Sequence, residues 1–127
     1  MKSIRLFLCL GSLLLWSACT DDNAVDTEQL LQGRWELVEA KRNNRPTESL
    51  TELYFLFQND GTVETNLSGA VESGAYRLDD QTIEQRNTSM DTDYLIQSLT
   101  DSLLVLRTRL SNQNFEFSLR KAELDVQ

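Results

Sequence analysis

The chain has 127 residues, 40% of them hydrophobic, with 12 basic side chains against 20 acidic ones and a formal charge of −8. That size permits one domain with one modest core, and a chain without histidine has no His-based triad and no histidine metal site. The acidic balance argues against nucleic acid and anionic headgroups as partners, since both require a basic footprint.

Lys2 and Arg5 precede an apolar run from Leu6 to Trp16, after which Ser17-Ala18 lead into Cys19. Charged, apolar and small residues in that order predict a secretory signal over residues 1–18. At about a dozen residues the run falls short of the roughly 20 that a spanning helix needs. Trp16-Ser17-Ala18-Cys19 resembles the bacterial lipobox, in which small residues precede the Cys that receives diacylglycerol, although Trp16 stands where that motif has an aliphatic residue. An ordinary signal with an incidental Cys is the alternative. Thr20-Asp21-Asp22 resembles the surface-export signal of Bacteroidetes-type lipoproteins. These resemblances imply lipidation at Cys19, contact with a membrane through that lipid, and an outer-membrane lipoprotein exposed at the cell surface. Cys9 leaves with the signal, so the mature chain keeps Cys19 alone and forms no internal disulfide. Lys2 and Arg5 leave too, and 10 basic residues then face 20 acidic ones, a formal charge of −10.

Residues 19–26 read as an acidic tether, and Asp26 or Thr27 as the cap of a short helix through Gln32 with Leu30 and Leu31 on its apolar side. From Gly33 the period changes to strands. Trp35 and Leu37, with Val38 and Ala40 interleaved, predict a first strand, followed by a polar loop at Asn43-Asn44-Arg45-Pro46. Leu53, Phe55 and Phe57 alternate as a second and run into Asn59-Asp60-Gly61, a hairpin signal. Val63, Thr65 and Leu67 form a third, Tyr76 and Leu78 a fourth, and Ile83 a short fifth. A sixth carries Tyr94 and Ile96, or Leu95 and Leu99 in the other parity. Leu103 to Leu110 form a seventh, and Phe115, Phe117 and Leu119 an eighth. Short strands joined by tight turns predict an antiparallel meander, which leaves unpaired edges unless it closes.

The order of motifs resembles the lipocalin-like domains of Bacteroidetes-type lipoproteins. Leu31-Gln32-Gly33-Arg34-Trp35-Glu36-Leu37 is similar to their opening, Phe57-Gln58-Asn59-Asp60-Gly61-Thr62 to the turn after the second strand, and Gly74-Ala75-Tyr76-Arg77-Leu78 to the fourth strand. The resemblance implies an all-β fold over residues 27–127: a small antiparallel up-and-down barrel of about eight strands with a short N-terminal helix. It also implies a barrel signature of Gly33, Trp35 and Arg120, with Gly33 and Trp35 plugging the closed end and the Arg120 guanidinium over the Trp35 ring. Arg109 competes for that position.

Alternation along barrel strands makes Phe55, Phe57, Tyr76, Tyr94, Phe115 and Phe117 candidates for contact with a small apolar or amphipathic ligand, and equally for simple core filling. With the interior filled, the protein would instead serve as a non-catalytic accessory subunit of a cell-surface complex. The expectation is a protein that is not an enzyme and carries no cofactor. Asp79-Asp80 and Asp91-x-Asp93 are acidic pairs open to carboxylate chemistry or Ca²⁺, but both fall in turn-rich stretches where a solvated loop accounts for them.

Overall fold

The computed structural model describes residues 27–122. The signal, Cys19 and the tether lie outside the described residues. After one helical turn at residues 27–31 the chain forms nine strands: β1 (Gly33–Arg42), β2 (Arg45–Thr47), β3 (Tyr54–Phe57), β4 (Thr62–Thr65), β5 (Glu72–Asp79), β6 (Thr82–Arg86), β7 (Thr92–Leu99), β8 (Leu103–Leu110) and β9 (Gln113–Lys121). From β3 to β9 each strand pairs antiparallel with the next, and β9 returns to pair with β1 from Lys121↔Trp35 to Phe115↔Arg42. The sheet therefore closes, as the meander demanded.

Nine segments make eight staves. β1 pairs with β3 at its start (Gly33↔Phe57 to Glu36↔Tyr54) and with β2 at its end (Ala40↔Thr47 to Arg42↔Arg45). β2 and β3 are thus one interrupted second stave, and residues 48–53 are an excursion from it. The expected loop at Asn43-Asn44-Arg45-Pro46 is shorter than the composition suggests. Asn43 (φ 53) and Asn44 (φ 70) alone make the turn, in the left-handed conformation of a two-residue hairpin, and Arg45 and Pro46 already belong to β2. The third predicted strand also ends early: β4 stops at Thr65, and Leu67 is buried in the following connection.

Two bulges reconcile the mixed parities. In β1 the register shifts between Leu37 and Glu39, so Val38 is extruded to solvent at 60% exposure while Trp35 and Ala40 both face inward. In β7 the shift between Ile96 and Ser98 keeps Tyr94 and Ile96 inside and brings Leu99 onto the core, with Leu95 outside.

The interior is filled by aromatic rings. Phe55 and Phe57 stack at 5.7 Å, Tyr94 meets Phe55 edge-on at 5.3 Å, Tyr76 meets Phe57 edge-on at 5.0 Å, and Phe117 lies 6.5 Å from Phe55. Such pairs contribute about 0.5–1.5 kcal/mol each beyond their area burial.

The closed end is plugged by the helical turn. Leu31 is fully buried, and the Trp35 indole N–H donates to the Leu31 carbonyl at 2.7 Å. Gly33 enters β1 at φ +124, where a side chain would be strained. The cation over Trp35 is Lys121, not Arg120. Its ammonium lies 4.6 Å from the ring centroid and donates to the carbonyls of Gln32 (2.8 Å) and Leu30 (3.2 Å). Strand parity explains the correction: Lys121 pairs with Trp35 in the register, whereas Arg120 pairs with Glu36 on the opposite, exposed face. Arg109 is exposed near the other end and donates to the Asn114 side chain.

Candidate functional site

The connections alternate between the two ends. Residues 58–61, 80–81 and 100–102 turn at the helix end, while 43–44, 66–71, 87–91 and 111–112 turn at the other. At this open end, Leu50, Leu67, Met90, Leu110 and Phe115 line a hollow of about 250 Å³, rimmed by Ser49, Ser111 and Gln113. It is slightly smaller than the roughly 300–1,000 Å³ of most small-molecule sites, and has their mixture of apolar wall and few polar groups.

Each wall residue has a local reason for its place. Leu110 ends β8 and Phe115 lies near the start of β9, on either side of the tight turn at Ser111 (φ 52) and Asn112 (φ 66). Leu50 arrives on the excursion from the second stave. That excursion is tied down by Asn66, whose side-chain amide donates to the Glu52 carbonyl (2.9 Å) while its oxygen accepts from the Tyr54 amide (3.0 Å). Met90 is carried by the 87–91 connection. The Ser89 amide and hydroxyl both donate to Glu72, at 2.8 and 2.6 Å, and the Ser68 hydroxyl adds a third bond at 2.7 Å. These donors hold the Glu72 carboxyl below the ordinary carboxylate range, the Ser89 hydroxyl contributing most.

Below the hollow lies a buried polar cluster. Gln85 accepts from the Tyr94 hydroxyl at 2.9 Å and donates to the Met90 carbonyl at 3.0 Å and the Thr88 hydroxyl at 3.2 Å. Thr92 donates to the same Met90 carbonyl at 2.8 Å. Burial pushes the Tyr94 hydroxyl's pKa well up, so it stays protonated and donates. The side-chain hydrogen bonds of Gln85 are made within this cluster, which anchors the 87–91 connection from below.

Of the six candidate ligand residues, Phe115 alone is in the wall of this hollow. Its ring lies 5.9 Å from Phe117, at the top of the aromatic column. Phe55, Phe57, Tyr94 and Phe117 are at most 1% exposed and pack on one another; Tyr76 is at the closed end, donating to the Gln58 carbonyl at 3.0 Å. These five are core. Leu50 and Met90 were not singled out by strand alternation, because both sit in connections. Their signal is a lone apolar side chain within a polar stretch, Thr47-Glu48-Ser49-Leu50-Thr51-Glu52 and Asn87-Thr88-Ser89-Met90-Asp91.

The acidic pairs have local structural roles. Asp91 accepts from the Thr88 amide at 3.2 Å, Asp93 pairs with Arg86 at 2.8 Å, and Asp80 (φ 60) shapes the β5–β6 turn. Among the described residues no three Cys, Asp or Glu side chains are grouped to hold a metal ion, and no helix is long and apolar enough to cross a membrane.

The fold defined by the closed eight-stave barrel and its helical plug is lipocalin-like. Its likeness to a solved structure, a lipocalin-like protein from Bacteroides uniformis ATCC 8492, has a TM-score of 0.54 at 17% identity and covers 73% of this chain and 99% of the other. No family model matches the chain, and the search of curated proteins found no match.

Proposed function

We propose that this protein is a lipid-anchored lipoprotein of the bacterial outer membrane whose lipocalin-like barrel takes a small apolar or amphipathic molecule at its open end. The observation that carries the reading is the hollow lined by Leu50, Leu67, Met90, Leu110 and Phe115 above a packed interior. Because the rings below leave the core filled, the ligand rests in the mouth and not in a deep calyx. The membrane half of the reading is supported by Ser17-Ala18-Cys19 and the acidic pair behind it. The described chain enters the barrel at the closed end, opposite the mouth.

A second reading, an accessory subunit docked to a surface protein, is favoured by the filled interior and by Leu95 and Leu103 on the outer wall, 47% and 40% exposed. Mass spectrometry of the full mature chain, extracted from its own host in mild detergent, separates these readings. Mass that survives denaturation and disappears in Cys19→Ser reports acylation. Mass lost on denaturation reports a bound small molecule, the expected result. A bare barrel accompanied by a stoichiometric protein would replace ligand carriage with the accessory role.

A further inference from the structure

The chain is acidic overall, yet its open end carries an uncompensated basic pair. Arg42 and Arg45 flank the Asn43-Asn44 turn and are direct register partners across the β1–β2 hairpin. Like charges placed directly opposite each other destabilise a hairpin. Among the described residues neither arginine has a carboxylate within 4.0 Å. Across the outer wall Lys41 and Arg107 each have Glu116 as a register partner, whereas the register partner of Arg42 on one side is Arg45 and on the other Phe115.

The pair is also held in place. The Asn43 amide donates to the Asn114 carbonyl at 2.7 Å and the Asn114 amide donates to the Asn43 side chain at 3.0 Å, which fastens the hairpin tip to the start of β9. Register sets its direction. Arg42 lies two residues after inward-facing Ala40 and pairs with Phe115 across β9, so both arginines belong to the face that Phe115 presents to the mouth. Gln113 borders both the apolar hollow and the polar recess formed by Arg42, Asn43, Arg45, Pro46 and Thr47.

We infer that the Arg42–Arg45 hairpin is an anion clip that makes the mouth selective for an amphipathic anion. A carboxylate or phosphate head bridges the two guanidiniums, and the apolar part lies against Phe115, Leu110 and Met90. Arginine suits this role because its planar fork matches both head groups in bidentate fashion. The inference rests on the mouth being a ligand site, as proposed above.

Calorimetric titration of the full mature chain at low salt tests it with three probes: octanoate, octan-1-ol and inorganic phosphate. Octanoate is expected to bind at least roughly tenfold more tightly than octan-1-ol, the scale of charge-assisted hydrogen bonds, and more tightly than phosphate. The double variant Arg42→Gln/Arg45→Gln should remove that advantage and leave octan-1-ol unchanged. Both side chains are exposed and repel each other, so the variant keeps its fold, which circular dichroism verifies; Arg45→Gln alone serves as a second variant. Equal binding of octanoate and octan-1-ol, or an unchanged double variant, would overturn the clip and leave the apolar mouth standing. Phosphate binding as tightly as octanoate would reduce the site to a free-anion site and overturn the amphiphile. No binding by either octyl probe would remove the mouth itself.

Discussion

Lys121 does three things at the closed end: it lies over the Trp35 ring, bonds two carbonyls of the plug and fills space beside Gly33. Lys121→Ala is expected to cost about 1–3 kcal/mol, from the cation–π contact and the charge-assisted bonds together. Arg120→Ala, on the exposed face, should stay within about 0.5 kcal/mol. Urea denaturation of the two variants checks this, and equal losses would restore Arg120 to the signature. That a cation covers Trp35 was legible here; its position, and that it is a lysine and not an arginine, were not. A cation over Trp35 follows from the motif, but whether it is residue 120 or 121 depends on the β1–β9 register, which no local pattern encodes. Gln85 was hidden for a similar reason: a polar residue on an inward position looks like a strand break until its partners, Tyr94 and the Met90 carbonyl, are in place.

At the level of elements, staves with strict alternation were readable and irregular ones were not. Phe55 and Phe57, then Phe115 and Phe117, announce their faces directly, whereas Trp35, Leu37, Val38 and Ala40 give a mixed pattern that only the Val38 bulge resolves. The broken second stave was invisible because Arg45–Thr47 is short and contains the proline. Asn66 replaces ladder bonds at the break, so Asn66→Ala should raise amide exchange across residues 49–54 while β8 and β9 keep their protection; hydrogen-exchange mass spectrometry reads this. The 87–91 connection responds to pH instead. Glu72 has a depressed pKa in the fold, so its contribution is present above its ordinary value of 4.5 and is lost as pH falls through the folded value. Glu72→Gln should therefore melt below the wild type at neutral pH, and the gap should close on acidification. A gap that stays constant between neutral pH and pH ~3 would contradict this assignment.

For the whole molecule, net charge was a poor guide to local charge. A formal −8 describes how the chain behaves in a distant field. It conceals Arg42 and Arg45, which are adjacent only because a two-residue turn folds them together. The class of fold was legible because closure of a meander follows from the need to pair its edges. The location of the hollow was not, because its walls come from three connections and from the adjoining ends of β8 and β9, which are far apart in sequence and meet only when the barrel closes.

The interruption of the second stave carries one more implication. The β1–β9 seam runs from Trp35 to Arg42 without using residues 48–52, and the detour rejoins β1 at buried Leu53, whose carbonyl accepts from the Leu37 amide at 3.1 Å. Lengthening such a detour costs little, because closure entropy rises only by about 0.6 kcal/mol for each doubling of loop length. Evolution can therefore reshape the mouth by inserting or replacing residues there, as a lock is rekeyed without rebuilding the door.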